Sequence, residues 1–416
     1  MKSGHDIRAA AAETIELLAV LDRLPASDGE RRAAGLIRDR FAARGCKARV
    51  EDVPAYHSYA QPIGILCASA AVAGLLAGPG PGQRWRRPVA ALIGAAAAYG
   101  IVDDITGARM LARRALMRRR STTNVIAETG EPDAPNTLVV LVHHDAAPSG
   151  IVFGQYLERW LVARHPEIVE SMTSNPPLWW VVIAGPALVS LASAFRLVGR
   201  DFLRWLGVGV SAISAAALAD IARRPAVPGA NDNLSGVAVA LETADAVRAN
   251  PIPGLRLLFV SAGAEEALQQ GMMQFARAHF GELDPEQTWF LTLDTVGSGH
   301  LVMLEGEGTV RMRDYDAAFK RQVAECAEQC GISLMRGLRS RNSTDGSVPR
   351  RHGFATATLV SLDDRKLLPN YHLYSDTPTN VDYRSVEDAV RLTEAVARRL
   401  AARDEPQRRP GSASPR

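Results

Sequence analysis

Apolar positions in this chain fall into runs of two lengths, and the difference separates two kinds of structure. The short runs are Leu138 to Val142 (LVVLV), Leu257 to Val260 (LLFV) and Phe290 to Leu293 (FLTL). The first is bounded by Asn136 and by the Pro148-Ser149-Gly150 turn. Runs this short and this uniformly apolar predict strands buried on both faces. Between and after them, Gly236 to Val247 and Phe319 to Cys330 read as helices, as does the amphipathic stretch at the amino terminus. Buried strands alternating with helices predict an α/β fold: a three-layer, mostly parallel twisted sheet with helices on both faces.

Four longer runs carry no charge: Pro62 to Gly78, Pro88 to Val102, Pro176 to Phe195 and Trp205 to Ala219. They come in two pairs, each joined by a short Arg-containing link, and they are rich in Gly and Ala. Trp85, Trp179, Trp180 and Trp205 sit near their ends. Charge-free runs with aromatic and arginine flanks are the pattern of membrane helices packed through small residues. A span needs about 20 residues. The first and third runs meet that length; the second and fourth need flanks such as Trp85 and Ile221, with arginines snorkelling. The alternative is a pair of buried hairpins capping the domain or forming a dimer interface. Two transmembrane hairpins are favoured, because four such runs are hard to bury in one soluble domain.

The organisation this predicts runs as follows. Residues 1–60 give the first helix and strand of the α/β domain, 61–105 a first inserted hairpin, and 106–150 more of the domain. Residues 151–225 give a second inserted hairpin, 226–401 the rest of the domain, and 402–416 a Pro/Ser-rich disordered tail. Each hairpin enters and returns, so the α/β domain stays on one side of a multi-pass membrane protein. No basic-then-apolar leader opens the chain, which favours the cytoplasmic side. Arg84, Arg86 and Arg87 at the first hairpin's tip argue for the other side, and Arg109, Arg113, Arg114, Arg118 and Arg223 oppose them.

Charge changes the picture little. A net charge of +3 over 416 residues, with scattered arginines, offers no case for nucleic acid. The basic run Arg118-Arg119-Arg120 reads as a solvated or membrane-facing edge. Cys46, Cys67, Cys326 and Cys330 lack a second close pair, so they read as small buried residues or free thiols in a reducing compartment.

Candidate chemistry gathers at the ends of the short runs. His143-His144-Asp145 follows the first predicted strand, Ala264-Glu265-Glu266 the second, and Asp294 ends the third. Asp232 lies in PGANDNLSG, a turn leading into the helix at Gly236, and Asn370-Tyr371-His372 comes late. Open α/β sheets bind ligands at the carboxyl ends of their strands. Taken singly, each stretch has an ordinary reading: a surface His, a solvated helix start, a cap. Together they supply imidazoles, carboxylates and a candidate base without thiolate, the donor set of a hydrolytic Zn, Co or Mn site.

In this order the stretches resemble metallopeptidase family 28, the dinuclear zinc aminopeptidases. The matching motifs are His143-x-Asp145, Asp232-Asn233-Leu234-Ser235-Gly236, Glu265-Glu266, Asp294, and Tyr371-His372 followed by Asp376-Thr377. The likeness covers residues 120–400 apart from one long insertion, and extends to a helix and strand within 28–56. It implies two Zn2+ ions per chain. His143 and Asp294 would hold one, Glu266 and His372 the other, and Asp232 would bridge both. Asp145 would orient His143 and raise its basicity. Glu265 would be the general base, taking a proton from a metal-bridging water and delivering it to the leaving amine. Tyr371 would donate its hydroxyl to the developing oxyanion, or else be a core aromatic beside a ligand; both readings stay open. The family also has a cis peptide after the bridging Asp, here Asp232-Asn233, and an Asp near the loop Arg339 to Asp345.

The implied function is a zinc-dependent exopeptidase, foremost an aminopeptidase, with peptide substrates and a lipid bilayer as partners. A carboxypeptidase or amidohydrolase with the same site remains an alternative. A single-zinc glutaminyl cyclase-like transferase and a non-catalytic membrane scaffold are others, and the complete ligand set with Glu265 intact argues against both. The insertion from Ala146 to Val227 is expected to shape the entrance. The sequence leaves the oligomeric state open.

Overall fold

The computed structural model describes residues 6–80, 82–195 and 198–402; the rest of the expected tail lies outside the described residues. The chain begins with α1 (Ile7–Ala19), α2 (Asp28–Ala43), β1 (Lys47–Ala55), α3 (Ala60–Leu76), α4 (Gln83–Ile105) and α5 (Leu111–Leu116). Next come β2 (Arg120–Gly130), β3 (Asn136–His143), α6 (Tyr156–Arg164), α7 (Glu167–Ser171), α8 (Leu178–Ala194) and α9 (Arg200–Ile221). The second half carries α10 (Gly236–Ala249), β4 (Leu255–Ala262), α11 (Gln270–His279), β5 (Thr288–Leu293) and β6 (His300–Met303). It closes with β7 (Gly306–Glu307), β8 (Arg313–Asp314), α12 (Ala317–Gln329), β9 (Arg339–Ser340), α13 (Ser347–Arg351), β10 (Ala355–Leu362) and α14 (Tyr383–Ala401).

Seven strands form one sheet in the order β1-β2-β4-β3-β5-β10-β6, and β8-β7-β9 form a small second sheet. The centre, β4-β3-β5-β10, is parallel. Antiparallel pairings (β1 with β2, β2 with β4, β6 with β10) are confined to the flanks. The expected α/β sheet is therefore present, with β1, β3, β4, β5 and β10 running one way. Every residue of β3 is buried, because successive side chains serve opposite cores. Leu138, Val140 and Val142 pack with α1, α2, α10, α12 and α14 on one face; Val139 and Leu141 pack with α11 and α13 on the other. Asp6, Ser27, Asp316 and Asp382 cap the starts of α1, α2, α12 and α14 by accepting backbone N–H bonds.

The four charge-free runs become α3, α4, α8 and α9. Their lengths reverse the sequence expectation: α4 and α9 have 23 and 22 residues, whereas α3 and α8 have 17 each. Arg84, Arg86 and Arg87 open α4 and Asp103 and Asp104 close it, while Arg200, Asp201 and Arg204 open α9. Charges that end an apolar run need not end a helix. Nor do the two hairpins stand apart, since α3 packs on α4, α8 and α9, and α8 packs on α4 and α9. Glycine lets the backbones meet. A Cβ on Gly94 would lie 2.7 Å from the Pro186 carbonyl oxygen, and one on Gly207 would lie 2.8 Å from the Val189 nitrogen.

Both insertions leave and rejoin the α/β domain at paired positions. Ala55, ending β1, stands opposite Arg120, which starts β2. Pro148 bridges Ala226, and the Val227 N–H donates to the Ala147 carbonyl at 2.9 Å. At the bundle's base, the fully buried Arg113 guanidinium donates to both oxygens of Asp104, at 3.0 and 2.8 Å. It also reaches the Ala267 carbonyl at 2.5 Å, joining the bundle to the residue after Glu266. Asp104→Ala strands that guanidinium and is expected to cost about 3–5 kcal/mol. A lower unfolding midpoint in detergent checks this, and an unchanged midpoint would show that the link carries no weight.

Candidate functional site

Three adjacent parallel strands deliver acids and an imidazole to one end of the sheet. β3 ends at His143; β4 ends at Ala262, just before Glu265 and Glu266; β5 ends at Leu293, and the Asp294 N–H donates to Leu359 of β10 at 3.0 Å. Asp232 sits in the turn Ala230–Ser235 that leads into α10, and its bond to Asn233 is cis, as the resemblance implied. His372 arrives on a loop where Asn370 and His372 both take positive φ, 60° and 53°.

These side chains converge. Donor atoms of His143, Asp232 and Asp294 lie within 4.8 Å of one another, as do those of Asp232, Glu266 and His372, and those of His143, Glu265 and Glu266. Asp232 faces both imidazoles: its Oδ1 is 3.4 Å from His143 Nε2 and its Oδ2 is 3.3 Å from His372 Nε2. His372 Nε2 is also 3.2 Å from Glu266 Oε2. By contrast, the His144 ring turns away to Ser261 Oγ at 2.9 Å, and burial pushes it down to about 4, so it stays neutral.

Asp145 does more than face His143 Nδ1, which is 3.4 Å away. Its two oxygens accept the backbone N–H groups of Glu265 and Glu266, at 3.1 and 3.0 Å. One carboxylate therefore sets both an imidazole and the Glu-Glu turn. Asp376 does the same for the Asp232 loop, accepting from the N–H groups of Asn231 at 2.8 Å and Asp232 at 3.0 Å. Asn233 ties that loop to β5 by donating to Leu293 and accepting from Thr295.

Two positioning groups escape the sequence reading. Arg23 is fully buried, and its guanidinium donates to the carbonyls of Leu18, His144, Pro228 and Gly229, clasping the His143 loop to the Asp232 loop. Glu30 accepts from Ala26 N–H, Ala264 N–H and Thr122 Oγ1; burial, and then Asp145, push it up to about 8. The only local signal is Ser27-x-x-Glu30, a helix-capping pattern, and Glu30 is drawn instead to the turn carrying Glu265. Asp345, at the end of the loop from Arg339, is also buried near the cluster, with both oxygens unpartnered.

Electrostatics and unmatched atoms show what the cluster fits. Asp232 Oδ2, Glu266 Oε1 and both ring nitrogens of His372 are buried without hydrogen-bond partners. Native interiors leave few polar atoms so unless an ion or water completes them. Burial, with Asp345, Glu266 and Asp294 nearby, pushes Glu265 well above the carboxylate range. Asp294 is pushed up to about 7 by burial and by Asp232 and Glu266. Burial opposes charge on His372, yet Glu266 and Asp232 hold it up at about 10. Crowded carboxylates and imidazoles with no thiolate fit divalent cations. The free cysteines pack elsewhere, Cys46 and Cys326 in the sheet core and Cys67 in the bundle.

One wall of the site comes from the inserted bundle and its connections. Phe153, in the turn Ile151–Gly154, sets its ring edge-on to His372 at 4.4 Å and to Tyr371 at 5.9 Å. Tyr371 stacks flat on His372 at 3.8 Å. Tyr59, just before α3, meets Trp179 edge-on at 5.7 Å, and burial together with Glu266 and Glu265 raises its hydroxyl.

A family model described as Peptidase family M28 matches residues 212–397, which carry Asp232, Glu265, Glu266, Asp294 and His372. Over that stretch the chain is similar to peptidase family M28. Solved structures share the fold. An aminopeptidase from Aneurinibacillus sp. strain AM-1 is 16% identical, with a TM-score of 0.55 over 97% of this chain and 96% of that one. A zinc aminopeptidase from Bacillus subtilis is 15% identical, with a TM-score of 0.53 over 94% of each chain. A glutaminyl cyclase from Bacteroides thetaiotaomicron, bound to N-acetylhistamine, is 14% identical, with a TM-score of 0.55 over 94% of this chain and 97% of that one. No curated protein matches the chain. Asp145→Asn removes the charge facing His143 and one acceptor of the Glu-Glu turn. Cation affinity is expected to fall about 10–100-fold, measured by competition with a chelator; unchanged affinity would limit Asp145 to the backbone.

Proposed function

We propose that this chain is a peptidase of family M28 and a dinuclear zinc aminopeptidase, removing residues from the free amino termini of peptides. His143 and Asp294 would hold one Zn2+, Glu266 and His372 the other, and Asp232 would serve both. The observation that carries this reading is the sharing of Asp232 between two complete donor triads, His143/Asp232/Asp294 and Asp232/Glu266/His372. That both triads are filled also favours hydrolysis over the cyclase chemistry known for one fold neighbour.

Bound there, the ions would supply Lewis-acid polarisation of a peptide carbonyl and a water that loses its proton near neutral pH. Glu265 takes that proton and hands it to the departing amine. Its aim is fixed by Gln269, whose Nε2 donates to Glu265 Oε1 at 3.2 Å and to the Ser343 carbonyl at 2.7 Å. Asp145 keeps the proton of His143 on Nδ1 and leaves Nε2 as the ligand atom. Phe153 and Tyr371 keep bulk water off the imidazole of His372.

The bundle belongs, in this reading, in a lipid bilayer. At about 1.5 Å per residue α4 and α9 reach roughly 33–35 Å, enough for a hydrocarbon core of about 30 Å. Val72, Leu92, Val181 and Ile213 point outward, exposed. Exposed Trp85 and Trp205 mark one end of the bundle, and Tyr99 and Trp180 the other, as in aromatic belts.

Metal analysis should find two zinc ions per chain, and aminoacyl-p-nitroanilides should be hydrolysed. Glu265→Gln is expected to keep both ions and lose about 10²–10⁴-fold in kcat; activity that survives it refutes the base. Pyroglutamate released from glutaminyl peptides, without hydrolysis, would establish the cyclase instead. Tyr371→Phe tests the hydroxyl. A loss of about a hundredfold marks an oxyanion donor, and an unchanged rate marks a stacked ring alone.

A further inference from the structure

We propose that the substrates of this site are membrane-resident apolar peptides, whose free amino termini reach the metal cluster along the bilayer surface under the strap formed by residues 151–175. The proposal rests on the aminopeptidase reading above and names its substrate class.

The strap crosses the mouth of the site. Gln155 Nε2 donates to the Leu368 carbonyl at 3.1 Å, just ahead of the Asn370–His372 loop. At the other end, the Arg339 N–H donates to the Thr173 carbonyl at 2.8 Å and the Arg341 N–H to Asn175 Oδ1 at 2.6 Å. That second loop also carries the Ser343 carbonyl, which holds Gln269 and through it Glu265. The strap thus joins the loops on either side of the cluster, and its Phe153 touches His372.

Its outer side carries uncovered apolar side chains at its start, ahead of exposed Arg164, His165, Glu167 and Glu170. Ile151 and Tyr156 are 73% and 80% exposed, and Val152 and Trp160 about half exposed. Soluble surfaces seldom group such residues beside a site. Continuity identifies what covers them. The strap starts where Phe153 packs into the bundle's own apolar cluster and ends where α8 enters the bundle. It therefore lies at the level where the bundle leaves the bilayer. Arg164 stacks over Trp160 at 5.4 Å, an aromatic and a cation together, the composition of helices resting among anionic headgroups. An apolar peptide in that layer meets Phe153 next, without crossing water.

The test uses the full chain reconstituted in vesicles of phosphatidylethanolamine and phosphatidylglycerol. Three substrates are compared: leucine p-nitroanilide, a polar peptide with amino-terminal Leu, and the same amino-terminal residues on an apolar body that partitions into the vesicle. Surface confinement is expected to raise kcat/KM for the apolar peptide about tenfold or more over the polar one. Tyr156→Ser with Trp160→Ser should bring that ratio close to one, with each rate normalised to the p-nitroanilide. If the double variant misfolds, Tyr156→Ser alone should lower the ratio. A wild-type ratio near one, or a ratio the variants leave unchanged, overturns the proposal while p-nitroanilide hydrolysis upholds the aminopeptidase. Loss of hydrolysis on all three wild-type substrates refutes the aminopeptidase reading itself.

Discussion

Carboxyl groups drawn out of water must be matched by donors or by positive charge, and one end of this sheet is organised by that demand. Asp145, Asp376 and Glu30 meet it with backbone N–H groups, and so act as struts. Asp232, Glu266 and Asp345 keep buried oxygens that no protein donor satisfies. The acids are sorted by partner: those bonded to the chain hold loops, and those left open face the imidazoles and the space between them. Arg23 supports the arrangement from behind, where its charge draws on Asp145, Asp376 and Asp232 across the carbonyls it clasps.

The same end of the domain is where the apolar bundle attaches. Leu268, two residues beyond Glu266, packs against the bundle's cluster, and Arg113 grips Ala267 between them. Phe153 packs into that cluster and lies on His372. The turn with the proposed base and the loop with the last imidazole are thus each braced by the part of the chain read as membrane-embedded.

Much of this was legible in the chain because it followed from local pattern. Uniformly apolar runs gave β3, β4 and β5, and the acids and imidazole at their ends fell where a parallel sheet collects them. Less legible were features set by distant partners. Glu30 reads as an ordinary first-turn acid until β4 brings Ala264 to it, and no pattern reveals that Arg23 is buried. The pairing of Asp145 with His143 is legible in the chain, but its bonds to the Glu265 and Glu266 N–H groups depend on the register of β3 against β4. Helix lengths went astray for another reason. Counting only uncharged residues omits Arg84 to Arg87 and Asp103-Asp104, which the helix includes.

The closed necks of the two insertions have a consequence for how such a molecule arises. Ala55 opposite Arg120 is where an antiparallel pair would otherwise turn back in a few residues, and Pro148 against Ala226 pinches off the second excursion as tightly. Material grafted at such closures leaves every strand pairing of the host intact. Either apolar hairpin can thus be present without disturbing the sheet, and the shared helical body exists only when both are.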